Sequence, residues 1–105
     1  MNPVQPPIDV TPEQWLIIQR ILQRHLAGYD VWAFGSRARG TARPFSDLDL
    51  AVITEKPLTM NRLSALTSDF SESDLPWKVD VVDWSTLSDS FKQIISRDKV
   101  VLQHG

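Results

Sequence analysis

Apolar positions along the chain change their period several times, and the changes outline the elements. Trp15, Ile18, Ile21, Leu22 and Leu26 recur at the spacing of one helix face. Thr11 can cap that helix, Pro12 suits its first turn and Gln14 can complete a capping box. The pattern predicts a helix from Pro12 to about Ala27, ended by Gly28. His25 falls on the buried stripe and reads as a tolerated boundary histidine. Runs at Val31–Phe34, Asp47–Ile53 and Trp77–Trp84 predict strands, with a short helical turn over Ser36–Gly40 and a loop from Thr41 to Ser46 marked by Pro44. Glu55-Lys56-Pro57 breaks the second strand. Thr59 can cap a helix over Met60–Ser73 that buries Leu63, Leu66 and Phe70. A last helix over Ser85–Arg97 turns Leu87, Phe91, Ile94 and Ile95 inward, and Val100–Leu102 closes as a strand. Residues 1–10 hold three of the seven prolines and read as an extended leader.

Helices and strands therefore alternate. The fold class is α/β (α+β), a small mixed sheet with helices packed on one face and a site on the other. The 105 residues imply a single domain over 1–105. The net charge of −2 gives no bulk attraction to nucleic acid or to an anionic membrane. The chain has no cysteine, which removes disulfides and thiolate metal sites. No apolar run approaches the ~18 residues of a membrane span, and the N-terminus lacks a signal-peptide pattern, so a soluble cytoplasmic protein is expected. The four tryptophans, Trp15, Trp32, Trp77 and Trp84, read as core filling, and an exposed one would be a candidate partner contact.

One stretch carries chemistry. Gly35 to Leu50 reads G-S-R-A-R-G-T-A-R-P-F-S-D-L-D-L. On a strand, Asp47 and Asp49 would share one side while Leu48, Leu50 and Val52 take the other. Two carboxylates so placed repel unless a cation joins them. Mg²⁺ suits them, because it takes oxygen ligands and is usually shared with substrate phosphates. Upstream, a glycine lets backbone approach a ligand closely, and free N–H groups at a turn bind anions. A phosphate cradle followed by a metal-binding pair points to a nucleoside triphosphate.

Gly35-Ser36, a spacer, then Asp47-Leu48-Asp49 resembles the signature of the DNA polymerase β-type nucleotidyltransferase superfamily. The fuller string GSRARG…SDLDLAV resembles its smallest members, the minimal nucleotidyltransferases paired with HEPN-domain proteins. The resemblance covers essentially the whole chain and implies a third carboxylate mid-way along the next strand. Asp80 matches that position better than Asp83, which sits near the strand end where a turn or cap takes an acid. The implied site uses Asp47, Asp49 and Asp80 as metal ligands and catalytic acids, with two Mg²⁺ ions and ATP as substrate. Gly35, Ser36, Arg37 and Arg39 would bind the nucleotide. Arg37, Arg39 and Arg43 can equally lie on a solvated surface, and Lys78 reads as surface or as a partner of Asp80.

Larger relatives carry an extra helical domain for the acceptor, and the roughly twenty residues after Trp84 are too few for one. The resemblance implies that a HEPN-type helical protein from a neighbouring gene is the acceptor, with this chain adding AMP to its hydroxyl as the antitoxin of a toxin–antitoxin pair. Two other functions stay open on the sequence. One is a non-catalytic module that binds nucleotide or partner. The other is transfer to a small-molecule hydroxyl, with a partner chain supplying the acceptor site.

Overall fold

The capping signals set the first helix. In the computed structural model, which describes residues 5–105, α1 runs Pro12–Leu26. The Thr11 hydroxyl accepts from the Gln14 amide at 3.2 Å, and the Gln14 side chain accepts from the Thr11 amide at 2.9 Å. Two orphan donors are thus satisfied at once. At the other end the chain leaves through Gly28 at φ +91°. There the Gln103 side-chain amide donates to the carbonyls of Leu26 and Tyr29, at 2.8 and 3.0 Å. His25 is not an idle boundary residue, because its Nε2 meets Asp69 Oδ2 at 2.8 Å and joins α1 to a later helix.

Among the described residues, four strands make one sheet: β1 (Asp30–Phe34), β2 (Leu48–Ile53), β3 (Val79–Asp83) and β4 (Val100–Gln103). Their order is β3-β2-β1-β4. β1 is antiparallel to both β2 and β4, and β2 is parallel to β3. A parallel pair needs a crossover, which is supplied by α3 (Met60–Glu72), capped by Thr59. A four-residue helix, α2 (Ser36–Arg39), follows β1. The mixed sheet and its helices are the fold class expected. Among the described residues no helix is long and apolar enough to cross a membrane.

Alternation along the strands sorts the two faces. Val31, Ala33, Leu48, Leu50 and Val52 are completely buried beneath α1 and α3. They pack with Trp15, Ile18, Leu22, Leu26, Leu66 and Phe70. Each such aliphatic side chain is worth roughly 1.5–3 kcal/mol of burial. Ile8 joins this core at 7% exposure and Val10 packs against it, so the leader is docked where it is described. Its first four residues lie outside the described residues.

Two stretches depart from the pattern read in the sequence. The segment expected as one helix from Ser85 to Arg97 is split. Asp83 caps a single 3-10 turn over Trp84–Thr86, the chain then straightens at Leu87, and Ser88 caps α4 (Asp89–Asp98). Two consecutive capping side chains compete for the backbone, and both are used. On α4 only Ile95 is fully buried. Ile94 is 50% and Phe91 36% exposed. Phe91 reaches the sheet face away from α1, where it meets Phe34 edge-on at 5.9 Å between ring centres. Trp77 precedes β3 instead of starting it, and is buried.

Candidate active site

The sheet face away from α1 is defined by β1 and β2 residues that point away from the core. Phe34 stands opposite Asp49 in the antiparallel pair, and Asp80 stands beside Asp49 in the parallel one. In-register neighbours project to the same side. Asp49 and Asp80 therefore share a face. Asp83, paired with Val52, faces the helices instead.

That difference in parity gives the two β3 acids different work. Asp83 accepts hydrogen bonds from the Thr54 hydroxyl, from the Leu58 amide at 2.7 Å and from the Ser85 amide and hydroxyl at 3.2 and 2.9 Å. Burial alone would raise its pKa, but these donors outweigh that and hold the carboxyl below its ordinary value. Asp80 is more open. Its Oδ1 lies 3.3 Å from Lys78 Nζ, a pair exposed enough to contribute little.

Asp49 is under the opposite strain. Burial pushes its pKa up, and the nearby Asp80 and Asp47 carboxylates push it further. Arg39 offsets part of this. Asp47 lies one residue before β2, exposed to solvent rather than on the strand. Carboxylates that raise the cost of the Asp49 charge are hard oxygen donors of the kind a divalent cation takes. Among the described residues, however, no three acidic or imidazole groups close around one point. The donor chemistry fits Mg²⁺, and the side chains would have to turn inward to enclose it.

Gly35 links this set to the turn above it. Its φ of +77° lies in the region that favours glycine. A Cβ placed there would run into the Asp49 carboxylate, with Asp49 Cγ only 3.3 Å away. Ser36 begins α2, and the first amides of a helix have no carbonyl of their own helix to reach. Gly35, Ser36, Asp49 and Asp80 are thus brought together.

The arginines divide. Arg39 lies on the surface near Asp49 and pairs with Asp98 at 3.2 Å, with half its side chain exposed. Arg37, expected at the nucleotide, is instead 5% exposed and donates to four backbone carbonyls, so its guanidinium is engaged within the fold. Helical geometry after Gly35 sends residues 37 and 39 to different sides, which the local sequence does not reveal.

Two lysines had no sequence signal. Trp32 and Trp84 meet edge-on at 5.1 Å on the face that carries Asp49. Lys99 Nζ lies 4.0 Å from the Trp32 ring centre and Lys92 Nζ 5.4 Å from that of Trp84. Both lysines come from α4 and its C-cap, far along the chain from Trp32. Beside Asp80, a cleft of about 470 Å³ wraps the free edge of β3, lined by Phe70, Leu75, Trp77 and Lys78 among others.

The sheet order and crossover are those of a polymerase β-type nucleotidyltransferase. The family described as "Polymerase beta, Nucleotidyltransferase" matches residues 17–104, and the chain belongs to it. Over 96 residues it is 49% identical to the protein named "Probable protein adenylyltransferase MntA" of Haemophilus influenzae, covering 91% of this chain and 84% of that one. A chain of a solved toxin–antitoxin structure with AMP-PNP superposes with a TM-score of 0.72 at 25% identity, covering 87% of this chain and 73% of that one. A solved complex of tri-AMPylated Shewanella oneidensis HEPN toxin with MNT antitoxin gives a TM-score of 0.67 at 21% identity, over 89% and 71% of the two chains. That last likeness is one of fold. The chain is a nucleotidyltransferase of the MntA type.

Proposed function

We propose that this nucleotidyltransferase moves AMP from ATP to a hydroxyl on a partner protein, in a Mg²⁺-dependent reaction, as the antitoxin of a HEPN toxin–antitoxin pair. The observation that carries the site is the in-register pair Asp49 and Asp80 beside Gly35. The acceptor and the pairing are supported by the relative named as an adenylyltransferase and by the neighbour solved as a toxin–antitoxin with AMP-PNP.

In this reading Asp47, Asp49 and Asp80 hold the metal. Gly35 and Ser36 take the triphosphate through backbone N–H groups and the serine hydroxyl, and Arg39 can leave Asp98 to meet a phosphate oxygen. Bound Mg²⁺ would offset charge on the attacking and leaving oxygens. The acceptor oxygen forms a bond to the α-phosphorus, the bond from that phosphorus to the bridging oxygen breaks, and pyrophosphate leaves. Asp80, the more open of the paired acids and next to the cleft on the free edge of β3, would take the hydroxyl proton in this reading. The acceptor would enter along that edge. An AMP added to a toxin hydroxyl brings negative charge and bulk close to the toxin's own site.

Intact mass is the test. The protein encoded beside this one is incubated with this chain, ATP and Mg²⁺, and both chains are weighed. A gain of one or more AMP units on the neighbour is expected. An unmodified neighbour that still forms a stable complex would refute the transfer and leave a binding module.

A further inference from the structure

Arg37 is a buried cation that the proposed chemistry does not use. Taking a guanidinium out of water costs several kcal/mol unless its donors are satisfied. Here Nε donates to Ser46 O at 2.9 Å. One terminal nitrogen donates to Asp9 O at 2.8 Å, and the other to Pro44 O at 3.1 Å and Arg43 O at 3.3 Å. The group also lies 4.2 Å over the buried Trp77 ring. Asp9 returns the contact, since its amide donates to Arg37 O at 2.9 Å.

Three of these four acceptors lie within residues 43–46, the irregular stretch directly ahead of Asp47. The peptide groups on either side of Asp47 are each held by one bond. Ser46 O accepts from Arg37, and Leu48 N–H donates to Lys78 O at 2.9 Å. The Asp47 main chain is thereby bracketed, although its own side chain is exposed.

We infer that Arg37 is a positioning residue, which fixes the backbone of residues 43–46 and so delivers Asp47 to the metal-binding set. The segment around Asp9 braces it from the opposite side. This rests on the reading of Asp47 as a metal ligand. A buried arginine kept for stability alone is a poor choice, because an apolar residue of similar volume often does as well or better. A planar fork that reaches several carbonyls of one loop at once is something neither lysine nor an apolar side chain provides.

The test uses the full chain with Mn²⁺ as the metal probe and AMP-PNP as nucleotide. Mn²⁺ affinity is read by electron paramagnetic resonance, amide hydrogen exchange is followed across residues 43–52, and thermal unfolding is recorded in parallel. In Arg37→Lys, Mn²⁺ binding is expected to weaken about tenfold or more, as when the support of a metal ligand is lost. Exchange at the amides of residues 45–48 should quicken while the β2 amides of Leu50 and Val52 keep their protection. Should Arg37→Lys not fold, Ser46→Ala replaces it. That change removes the Oγ that accepts from the Arg43 amide at 2.9 Å, and loosens the same loop from its outer side. Mn²⁺ binding should then weaken by a smaller factor. Asp47→Asn is the control. If Asp47→Asn weakens Mn²⁺ binding and the folded loop variant does not, the positioning role is wrong. If Asp47→Asn has no effect, the ligand assignment fails first and takes this inference with it.

Discussion

Gly35 and Asp49 occupy space that a single added methyl group would contest. Gly35 has a positive φ, and a Cβ there would sit 3.3 Å from Asp49 Cγ and closer still to Oδ2. Gly35→Ala therefore combines backbone strain of about 1–3 kcal/mol with a displaced carboxylate. Transfer should fall by roughly 100-fold or more, the usual result of a 1 Å misplacement. Wild-type turnover in a folded Gly35→Ala protein would show that the contact has no bearing on the chemistry.

Asp49→Asn separates activity from stability. The pKa of Asp49 is raised by burial and by its acidic neighbours. A raised carboxyl favours folding below its unfolded-state pKa, and that contribution is lost as pH rises through the folded value. At neutral pH the charge is thus a liability in the metal-free protein. Asp49→Asn should melt higher than the parent at pH 7, with the gap closing toward pH 4, while transfer disappears. A lower melting temperature at pH 7 would contradict the electrostatic account.

For Asp83 the sign is reversed. Its pKa is held down by Thr54, Leu58 and Ser85 donors despite burial. The stability it provides is full above the ordinary carboxyl range and is lost as pH falls through the folded value. Asp83→Ala leaves the Leu58 and Ser85 amides short of a partner and should cost about 2–3 kcal/mol in urea at pH 7. The difference from the parent should shrink in acid. Because Asp83 faces the helices, metal affinity per folded molecule should stay unchanged, which titration with Mn²⁺ checks.

Ile8 ties the leader into the core. Ile8→Ala should cost about 2–3 kcal/mol, as for other buried aliphatic truncations. Denaturant melts would read the loss, and a loss near zero would mean that the described part of the leader contributes no stability.

The main elements were legible where local chemistry and period agree. Thr11, Pro12 and Gln14 mark α1 within a residue, and period two alone places Asp80 and Asp83 on opposite faces. What escaped the sequence depends on distant partners or on competing caps. Ile8 lies among prolines, and only its contact with the sheet core reveals it as buried. The direction of the Arg37 side chain is set by a loop six to nine residues later and by Asp9. Ser85 and Ser88 stand in one serine-rich stretch, and the choice of Ser88 as the helix start follows from Asp83 having already drawn in the Ser85 amide. Asp47 falls just outside the strand, where the preceding carbonyl, Ser46 O, accepts from the Arg37 side chain instead of a strand amide.

The parallel pairing of β2 with β3 also bears on when the protein becomes competent. Asp49 and Asp80 are neighbours only across that pair, thirty-one positions apart in sequence. A ribosome-bound chain that has not yet released α3 and β3 has both acids of the first cluster and no partner strand to set beside them. Closing that connection carries an entropic cost that precedes the contacts it brings together. Competence would therefore arrive in one step, once β3 has emerged and paired with β2.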